Sequence, residues 1–184
     1  MTFVYRQCQP NDSAAAEALV ALCFGPGRFA KSAYRLREGV HPVDGLSFVA
    51  LRDGAVVASI QYWPVAVEKH QGLMLGPLAV APEIRGQGAG QELMRLTLAE
   101  ARQREHAWVI LVGDEPYYGK AGFQKLAGGT IQFPGPVNTA RILGLSLKPG
   151  ALDGVRGRLL RARIDEAPCA ASTPLSPLGA PRHE

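Results

Sequence analysis

Residues 73–90 read LMLGPLAVAPEIRGQGAG, and this stretch decides the fold. It opens with an uncharged apolar run, LMLGPLAV, whose length and flanking turn residues predict a buried strand. Gly76 and Pro77 interrupt the run, because proline cannot donate to a strand ladder and glycine inside a strand marks a bulge. Residues 91–105 then carry apolar side chains at helical spacing. The sequence therefore predicts a bulged strand, a glycine-rich turn and a helix in succession.

The glycine-rich turn, residues 85–90, has the chemistry of an anion site. The N–H groups at the start of a helix lack partners within the helix and carry a partial positive charge. Glycines admit a phosphate close to the backbone, and Arg85 adds a full charge. The turn is not a P-loop, because no Gly-Lys-Ser/Thr follows, and its glycines at 86, 88 and 90 do not form GxGxxG. A tight turn that only leads into a helix is the alternative interpretation.

Two segments together resemble the GNAT (GCN5-related) N-acetyltransferases. The first is LAVAP followed by RGQGAG, residues 78–82 and 85–90, which is similar to the acyl-CoA-binding motif of that family. The second is GDEPYYGKAGF, residues 113–123, which is similar to the family's Tyr-x-x-x-Gly-Phe segment and, in its detail, to the YhbS-like subgroup. The resemblance covers roughly residues 2–160. It implies an α/β (α+β) fold, in which a mixed, mostly antiparallel sheet is flanked by helices and splayed at a bulge near Gly76-Pro77.

The resemblance also implies acetyl-CoA as co-substrate and assigns it a place. The N–H groups of the turn would bind the pyrophosphate, and the end of the preceding strand would pair with the pantetheine arm as an added strand would. The N–H of Leu78, freed by the bulge at Pro77, would face the thioester oxygen. The expected cofactor-binding residues are Leu78, Ala79, Val80, Arg85, Gly86, Gln87, Gly88, Ala89 and Gly90.

Tyr118 lies where the family places its general acid, so the resemblance implies that its phenol protonates the leaving thiolate. A free thiol has a pKa of ~8.5 and a tyrosine one of ~10, so the transfer is uphill unless the site changes either value. A packed aromatic side chain is the alternative interpretation of Tyr118. Its neighbour Tyr117 is predicted to belong to the core.

The sequence does not single out a general base. Some GNAT enzymes carry a glutamate on the central strand near the position that Met74 occupies here, and methionine cannot accept a proton. No pattern distinguishes the acidic and histidine side chains closest in sequence. These are Glu68, His70, Asp114 and Glu115.

The flanking segments predict the remaining elements. Residues 14–24 and 28–38 predict two helices, the first with Ala15, Ala18, Leu19 and Leu22 facing inward. Residues 46–51, 56–67 and 73–80 predict strands joined by tight turns, which indicates an antiparallel meander. The apolar run 107–112 predicts a strand parallel to 73–80. Residues 123–133 and 139–147 predict a final hairpin, and 154–160 a short extra strand.

In GNAT proteins the early helix pair and its loop border the acceptor pocket. By resemblance, this places several charged and aromatic side chains as candidate substrate contacts. A solvated surface side chain is the alternative interpretation of each. The candidates are Arg28, Tyr34, Arg35, Arg37 and His41.

Composition is typical of a soluble globular protein. The 184 residues are 47% hydrophobic and 20% charged, and no apolar run approaches the ~18 residues of a membrane span. Residues 1–164 predict a single domain, and residues 165–184, rich in Ala, Pro and Ser, predict a flexible tail. Three scattered cysteines and a start without signal-peptide character favour a cytoplasmic location.

Charge and motif content limit the partners. The formal net charge is +4, but the basic residues are dispersed, so we expect neither nucleic acid nor a membrane as a partner. The lack of a Cys-x-x-Cys pair predicts no metal site. A homodimer is left open.

Two functions from different classes follow. The first is an acetyl-CoA-dependent N-acetyltransferase, in which a primary amine attacks the thioester directly. The second is a non-catalytic acyl-CoA-binding or sensing module with the same fold. The complete turn and Tyr118 favour the enzyme, whereas the missing strand carboxylate favours the module. Because no base is evident, a low-pKa amine, such as the α-amine of an amino acid or peptide, is the expected acceptor.

Overall fold

The computed structural model describes residues 2–30 and 32–162, and in this part of the chain the strands form one sheet of nine. The strands are β1 Val4–Gln7, β2 Phe48–Arg52, β3 Ala55–Val67, β4 His70–Val80, β5 Trp108–Val112, β6 Gln124–Lys125, β7 Ile131–Gln132, β8 Ile142–Ser146 and β9 Gly157–Arg161. The α-helices are α1 Ser13–Phe24, α2 Ser32–Arg35, α3 Ala89–Gln103 and α4 Glu115–Tyr118.

The sheet is mixed and mostly antiparallel, as predicted. Its main order is β1-β2-β3-β4-β5-β8-β6, and β9 adds to β3. The first four strands form the antiparallel meander. β4 and β5 are parallel, and their register holds only Leu73 opposite Val109 and Met74 opposite Ile110. Beyond these two pairs the strands separate, so the sheet is splayed near its centre.

A bulge in β4 accompanies this separation. Ile60 of β3 lies opposite Leu78, whereas Tyr62 lies opposite Leu75. Two residues of β4, Gly76 and Pro77, therefore face one residue of β3, which is the arrangement of a β-bulge. The predicted bulge is confirmed at the predicted residues.

Helix α3 lies against the sheet through the apolar face that its sequence predicts. Its buried side chains include Leu93, Leu98 and Thr97. Thr97 Oγ1 and the Tyr62 hydroxyl are 2.9 Å apart, so each of these buried polar groups has a partner. The helix begins at Ala89, two residues before the predicted start, and Gly88 precedes it in the left-handed conformation (φ 86°).

The predicted inner face of α1 is wrong. Ala15 and Ala18 are exposed, and Leu22 is 68% exposed, whereas Leu19 is buried as predicted. Nearly every side of this helix carries alanine or another apolar side chain, so periodicity alone cannot identify the face that packs on the sheet.

Two other predicted elements are divided. The predicted helix 28–38 is a 3₁₀ turn, Pro26–Ala30, followed by the short α2. The predicted final hairpin is only partly present, because β6 pairs antiparallel with β8 as predicted, whereas β7 pairs in parallel with β9. A turn in which Thr130 N–H donates to the carbonyl of Ala127 (3.2 Å) separates β6 from β7. The extra strand predicted at 154–160 is β9.

Among residues 2–30 and 32–162, no helix has the length and apolar character to cross a membrane, and no three metal-ligating side chains cluster. Cys8 and Cys23 are free thiols. The tail predicted for residues 165–184 lies outside the described residues and stays a prediction.

Candidate active site

A cavity of about 460 Å³ lies where β4 and β5 separate, and we call it the central cavity. Four separate parts of the chain line it: the α1–α2 region, the bulge of β4, the end of β5 with α4, and the loop that precedes β8. Its polar side chains are Arg28, Ser32, Tyr34, Arg37, Asp114, Tyr118, Asn138 and Arg141. Its other lining residues are Phe24, Ala33, Met74, Leu75, Gly76, Pro77, Leu78, Val112, Gly113, Pro136 and Val137.

The glycine-rich turn lies just beyond the cavity, joined to it by the last residues of β4. Gly86 and Gly88 have positive φ, and a Cβ added at either would meet no atom within 4 Å, so the space in front of the turn is open. The N–H of Glu92 donates to the carbonyl of Gly88 (3.0 Å). The N–H groups that precede it at the helix start are the ones that a helix leaves without intrahelical partners. The turn therefore has room and donors for an anion.

The other predicted cofactor residues occupy different positions along this path. Leu78 lines the central cavity, whereas Ala79 is only 1% exposed and packs in the core. Arg85 is exposed, and its Nε donates to the carbonyl of Val80 (3.4 Å). Of the five turn residues that follow Arg85, three are exposed, and the two that begin helix α3 are buried. Gly86, Gln87 and Gly88 are exposed, and Ala89 and Gly90 are buried.

Tyr118 and Leu78, which the sequence predicts to act together, line the same cavity although forty positions separate them. Gly113 allows the Tyr118 ring its place, because a Cβ at Gly113 would collide with that ring. The ring also lies edge-on to Phe123, with the centroids 6.1 Å apart. These contacts fix the phenol at the wall of the cavity.

The environment of Tyr118 keeps its phenol protonated. Burial, followed by the neighbouring Tyr117 and the Asp114 carboxylate, raises the pKa of Tyr118 to about 12, and Arg141 opposes this rise. The hydroxyl is therefore a hydrogen-bond donor throughout the neutral range, and its pKa is higher than the ordinary value on which the sequence argument rests.

The prediction that Tyr117 belongs to the core is wrong. Tyr117 is 36% exposed and lies against the glycine-rich turn, where its hydroxyl occupies the space that a Cβ on Gly90 would need. Gln91 Nε2 donates to the Tyr117 carbonyl (2.9 Å), which ties α4 to the start of α3. Adjacent residues of a one-turn helix point in different directions, so only one of the two tyrosines faces the cavity.

Among the described residues, Asp114 is the one acidic side chain in the lining of the cavity. Its Oδ1 lies 3.1 Å from Arg141 Nε, so this carboxylate is already paired. Glu115 pairs instead with Lys125 (2.7 Å), and the Glu68 and His70 positions lie at the opposite end of β4 from the bulge. Met74, which is 1% exposed, contributes an apolar side chain to the lining of the cavity.

Three of the five candidate substrate contacts line the cavity: Arg28, Tyr34 and Arg37. Arg35 instead donates to the carbonyl of Pro134 (3.1 Å), and His41 lies outside the lining. Burial lowers the pKa of Arg37 to about 10, and the neighbouring Tyr34 and Glu17 oppose this shift. Arg37 therefore remains positively charged at neutral pH.

The loop that precedes β8 also contributes to the cavity, which its sequence did not predict. Pro136, Asn138 and Arg141 of this loop line the cavity, and Ser32 Oγ donates to the Pro136 carbonyl. The Asn138 side chain accepts from the N–H of Ala140 (3.0 Å), which shapes the loop. The loop's proline–glycine content indicates only a connection, and nothing in it signals a contact with residues a hundred positions earlier.

Comparison with known proteins places this geometry in a family. Residues 14–123 match the family model described as the acetyltransferase (GNAT) family. The chain is 31% identical over 154 residues to YhbS of Escherichia coli K12, described as an uncharacterized N-acetyltransferase, with 80% of this chain and 89% of that protein covered.

Solved structures agree with this assignment. The crystal structure of Escherichia coli YhbS in complex with CoA has a TM-score of 0.74 and 29% identity to this chain, covering 87% of it and 89% of YhbS. A GNAT acetyltransferase from Brucella melitensis in complex with acetyl-CoA has a TM-score of 0.64 and 24% identity, covering 88% and 96% of the two chains, and supports the fold.

Proposed function

The chain belongs to the acetyltransferase (GNAT) family, and we propose that it moves an acetyl group from acetyl-CoA to a primary amine by direct attack on the thioester. Family membership makes it an acyltransferase. The observation that carries the proposal is the position of Leu78 and Tyr118 on one cavity, whose β4 wall continues into the glycine-rich turn. Donors for the pyrophosphate, the thioester oxygen and the leaving sulfur thus follow one another in the order of the cofactor's parts.

We assign the cofactor's pyrophosphate to the N–H groups of Gly86, Gly88, Ala89 and Gly90, with Arg85 adding charge. The N–H of Gln87 already donates to the carbonyl of Ile84 (3.2 Å) and is not counted among these donors. The open space in front of Gly86 and Gly88 supports this assignment. The pantetheine would lie along Ala79 and Val80 in the gap that β5 leaves on this side of β4. The solved structure of YhbS, which resembles this chain with a TM-score of 0.74, holds CoA.

In the reaction, the amine nitrogen attacks the thioester carbon and the carbonyl oxygen becomes an oxyanion. The N–H of Leu78, next to the bulge, would donate to that oxygen. A preorganised donor of this kind contributes ~3 kcal/mol to stabilising such a transition state. The C–S bond then breaks, and the sulfur leaves as a thiolate near Tyr118.

Tyr118 would donate to this thiolate. With the phenol pKa at about 12 and a free thiol at ~8.5, full transfer in the ground state is uphill by about 3.5 units, or ~5 kcal/mol. The proton therefore moves only as the C–S bond breaks, when sulfur is most basic. Before that point the phenol acts as a hydrogen-bond donor.

The proton of the amine needs another destination. Asp114 is bound to Arg141, and Met74 cannot accept a proton. We propose that the acceptor enters as the neutral amine. At pH 7 this costs ~4.6 kcal/mol for a lysine-type amine of pKa ~10.4, but only ~1 kcal/mol for an α-amine of pKa ~7.7. The acceptor's nitrogen becomes acidic once the N–C bond forms and releases one proton to solvent, and the Tyr118 phenolate left after protonation of the thiolate takes a proton back from solvent.

The alternative function is a non-catalytic acyl-CoA-binding module of the same fold. The apolar Met74 at the position of the family's strand glutamate favours this alternative. The open cavity beside Tyr118 favours the enzyme, because a pure CoA sensor has no need of a second pocket.

The deciding experiment mixes the purified protein with acetyl-CoA and a panel of amines and follows free CoA thiol. We expect amine-dependent thiol release, fastest with α-amines, and little release without amine. Acetyl-CoA binding without thiol release for any amine supports the binding module. A clear preference for a lysine ε-amine contradicts the assignment of the acceptor class.

A further inference from the structure

Among the charged side chains that line the central cavity, one positively charged side chain has no carboxylate paired with it in the part of the chain that the structure describes. Three arginines line it, and two of them have carboxylate partners. Arg28 Nη2 lies 3.1 Å from Glu17 Oε1, and Arg141 Nε lies 3.1 Å from Asp114 Oδ1. Within residues 2–30 and 32–162, no carboxylate lies within ion-pair distance of Arg37.

Arg37 is held by aromatic side chains rather than by an anion. Its guanidinium carbon lies 4.7 Å from the centre of the Tyr34 ring and 5.5 Å from that of Trp63. Trp63 is itself fixed, because its Nε1–H donates to the carbonyl of Gly76 (2.7 Å). Arg37 also shares a hydrogen bond with the Tyr34 side chain, and rings that contact the face of a planar guanidinium leave its other N–H groups for hydrogen bonding.

The donors of Arg37 are not all used. Its Nε is buried and has no hydrogen-bond partner among the described residues. A buried charge with an unused donor is unfavourable unless an anion pairs with it. The arrangement is therefore prepared for an anionic group that enters the cavity.

The anion is not a phosphate of the cofactor under the assignment proposed above. That assignment puts the pyrophosphate at residues 86–90, beyond the far end of β4. Arg37 lies instead at the bulge, with Nη2 3.2 Å from the position of a Cβ built on Gly76. Gly76 precedes Leu78 by two residues, or about 7 Å of extended chain. The anion thus sits close to the reacting carbon, where the acceptor must lie.

We propose that the acceptor is an amino acid, whose free carboxylate binds the N–H edge of Arg37 while its α-amine faces the thioester beside Leu78. This inference rests on the proposed acetyl transfer and specifies its substrate class. A carboxylate matches the guanidinium fork in geometry, and its single charge matches the single excess charge of the cavity. The short distance between Arg37 and the bulge suits the short spacing between the α-amine and the carboxylate.

The test compares each amino acid with its own amide and with the amine that lacks the carboxyl group, for a small, an aliphatic and an aromatic side chain. We expect the best amino acid to exceed its amide in kcat/KM by about tenfold or more, the effect of a charged hydrogen-bonded pair. In the absence of recognition by the protein, the amide should react faster at neutral pH, because an amino acid's own carboxylate holds the proton on its amine more tightly. A preference for the acid therefore reports recognition by the protein.

The variant Arg37→Met keeps apolar bulk against Trp63 and removes the charge. It should abolish the preference for the acid, because kcat/KM for the acid falls by much more than kcat/KM for the amide. Arg37→Lys should restore part of the preference, because the charge returns without the fork. Arg102→Gln, an exposed arginine on α3, is the matched control and should keep the preference intact. The amide, measured on each variant, controls for folding.

Failure of this inference is distinguishable from failure of the proposed reaction. If amides are acetylated as well as amino acids, if Arg37→Met retains the preference, or if a phosphate-bearing amine such as phosphoethanolamine is preferred, the inference is overturned while acetyl transfer stands. If no amine is acetylated, calorimetry with CoA present compares an N-acetyl amino acid with its amide. Arg37-dependent binding of the acid then supports the carboxylate site, and its absence overturns it.

Discussion

The glycine-rich turn and the central cavity adjoin each other at the end of β4 but are built in different ways. The turn is six consecutive residues, 85–90, whose expected donors to a ligand are backbone N–H groups. The cavity collects side chains from four distant parts of the chain, including Arg37, Tyr118 and Arg141. The turn depends on backbone conformation and on the lack of side chains, whereas the cavity depends on the identity of each side chain.

This difference predicts two kinds of response to substitution. Removing a side chain from the turn leaves its backbone donors in place, so harm comes chiefly from adding bulk. In the cavity we expect the opposite, because each proposed function depends on a single hydroxyl or guanidinium and removing it leaves no substitute. The predictions below test this contrast.

Tyr118→Phe should have the largest effect. It keeps the ring that packs beside Gly113 and Phe123 but removes the donor for the thiolate. We expect kcat to fall by about 10²–10⁴-fold while affinity for acetyl-CoA changes only a few-fold. Steady-state kinetics and calorimetry measure the two quantities. The neighbouring Tyr117→Phe also removes a phenol, but outside the cavity, and should keep kcat near wild type.

A Tyr118→Phe protein that keeps more than about half of the wild-type kcat, with chemistry rate-limiting, would show that water protonates the thiolate. Tyr118 would then be a packing residue, and the cavity would depend less on single side chains than the comparison states.

Gly88→Val should weaken CoA binding by more than tenfold. The added side chain would fill the open space in front of the turn and would strain a residue whose φ is 86°. Gly54→Val is the matched control, since Gly54 has φ 80° and open space around it but lies in the hairpin between β2 and β3. Thermal unfolding should show comparable destabilisation of both variants, and calorimetry should show lost CoA affinity only for Gly88→Val. Equal affinities would refute the phosphate assignment.

The pH dependence of kcat/KM should follow the amine rather than the phenol. For an acceptor whose α-amine has a pKa of ~7.7, such as an amino-acid amide, the rate should rise by about tenfold for each pH unit below that value and then level off. For the free amino acid, whose carboxylate raises the pKa of its amine, the rate should level off at a higher pH. The phenol pKa of Tyr118, raised by burial to about 12, places its deprotonation above the measurable range, so no falling limb should appear between pH 8 and 10. A falling limb near pH 9–10 that disappears in Tyr118→Phe would mean that the phenol is much more acidic than its buried position implies.

Arg85→Ala should have the smallest effect, a few-fold loss of CoA affinity. Raising the salt concentration should make this loss smaller still. Arg85 is exposed, so its attraction for a phosphate is screened, and the backbone donors remain. Calorimetry at low and high ionic strength measures both effects. A loss as large as that of Gly88→Val would mean that the side chain, and not the backbone, holds the phosphate.

The same contrast explains how much the sequence predicted. The bulge, the turn and α3 follow from local rules about glycine, proline and helical spacing, and all three lie where those rules put them. The order of the central strands was likewise predictable from tight turns and one long crossover. In the cavity, by contrast, Tyr118 was predicted from its place in a family motif, and the region from Arg28 to Arg37 was predicted from its place in the family's fold. Local rules predicted neither.

What the sequence could not supply were contacts between distant segments. The loop containing Asn138 and Arg141 has no local pattern, and its role depends on Ser32 reaching the Pro136 carbonyl across the fold. Tyr117 and Tyr118 are chemically identical neighbours, so only the three-dimensional packing of α4 determines which one faces the cavity. The buried face of α1 was predicted wrongly for a related reason, because an alanine-rich helix offers no contrast between an apolar and a polar face.

The extra residue at Gly76-Pro77 has a consequence for anyone who would redesign this protein. Side chains on a strand alternate between two faces, so one inserted residue would exchange the faces for everything that follows it unless a bulge absorbed it. Leu75 and Leu78 are three positions apart, yet they lie opposite Tyr62 and Ile60, which are only two apart. The bulge absorbs the extra residue, so Leu78 faces Ile60 as it would in an uninterrupted ladder. Deleting one residue here would let β3 and β4 pair without interruption and would leave the partners of residues 78–80 unchanged, but it would remove the irregular backbone beside Leu78 on which the proposed oxyanion site depends. A one-codon deletion could therefore turn the protein into an inactive scaffold with an otherwise intact core.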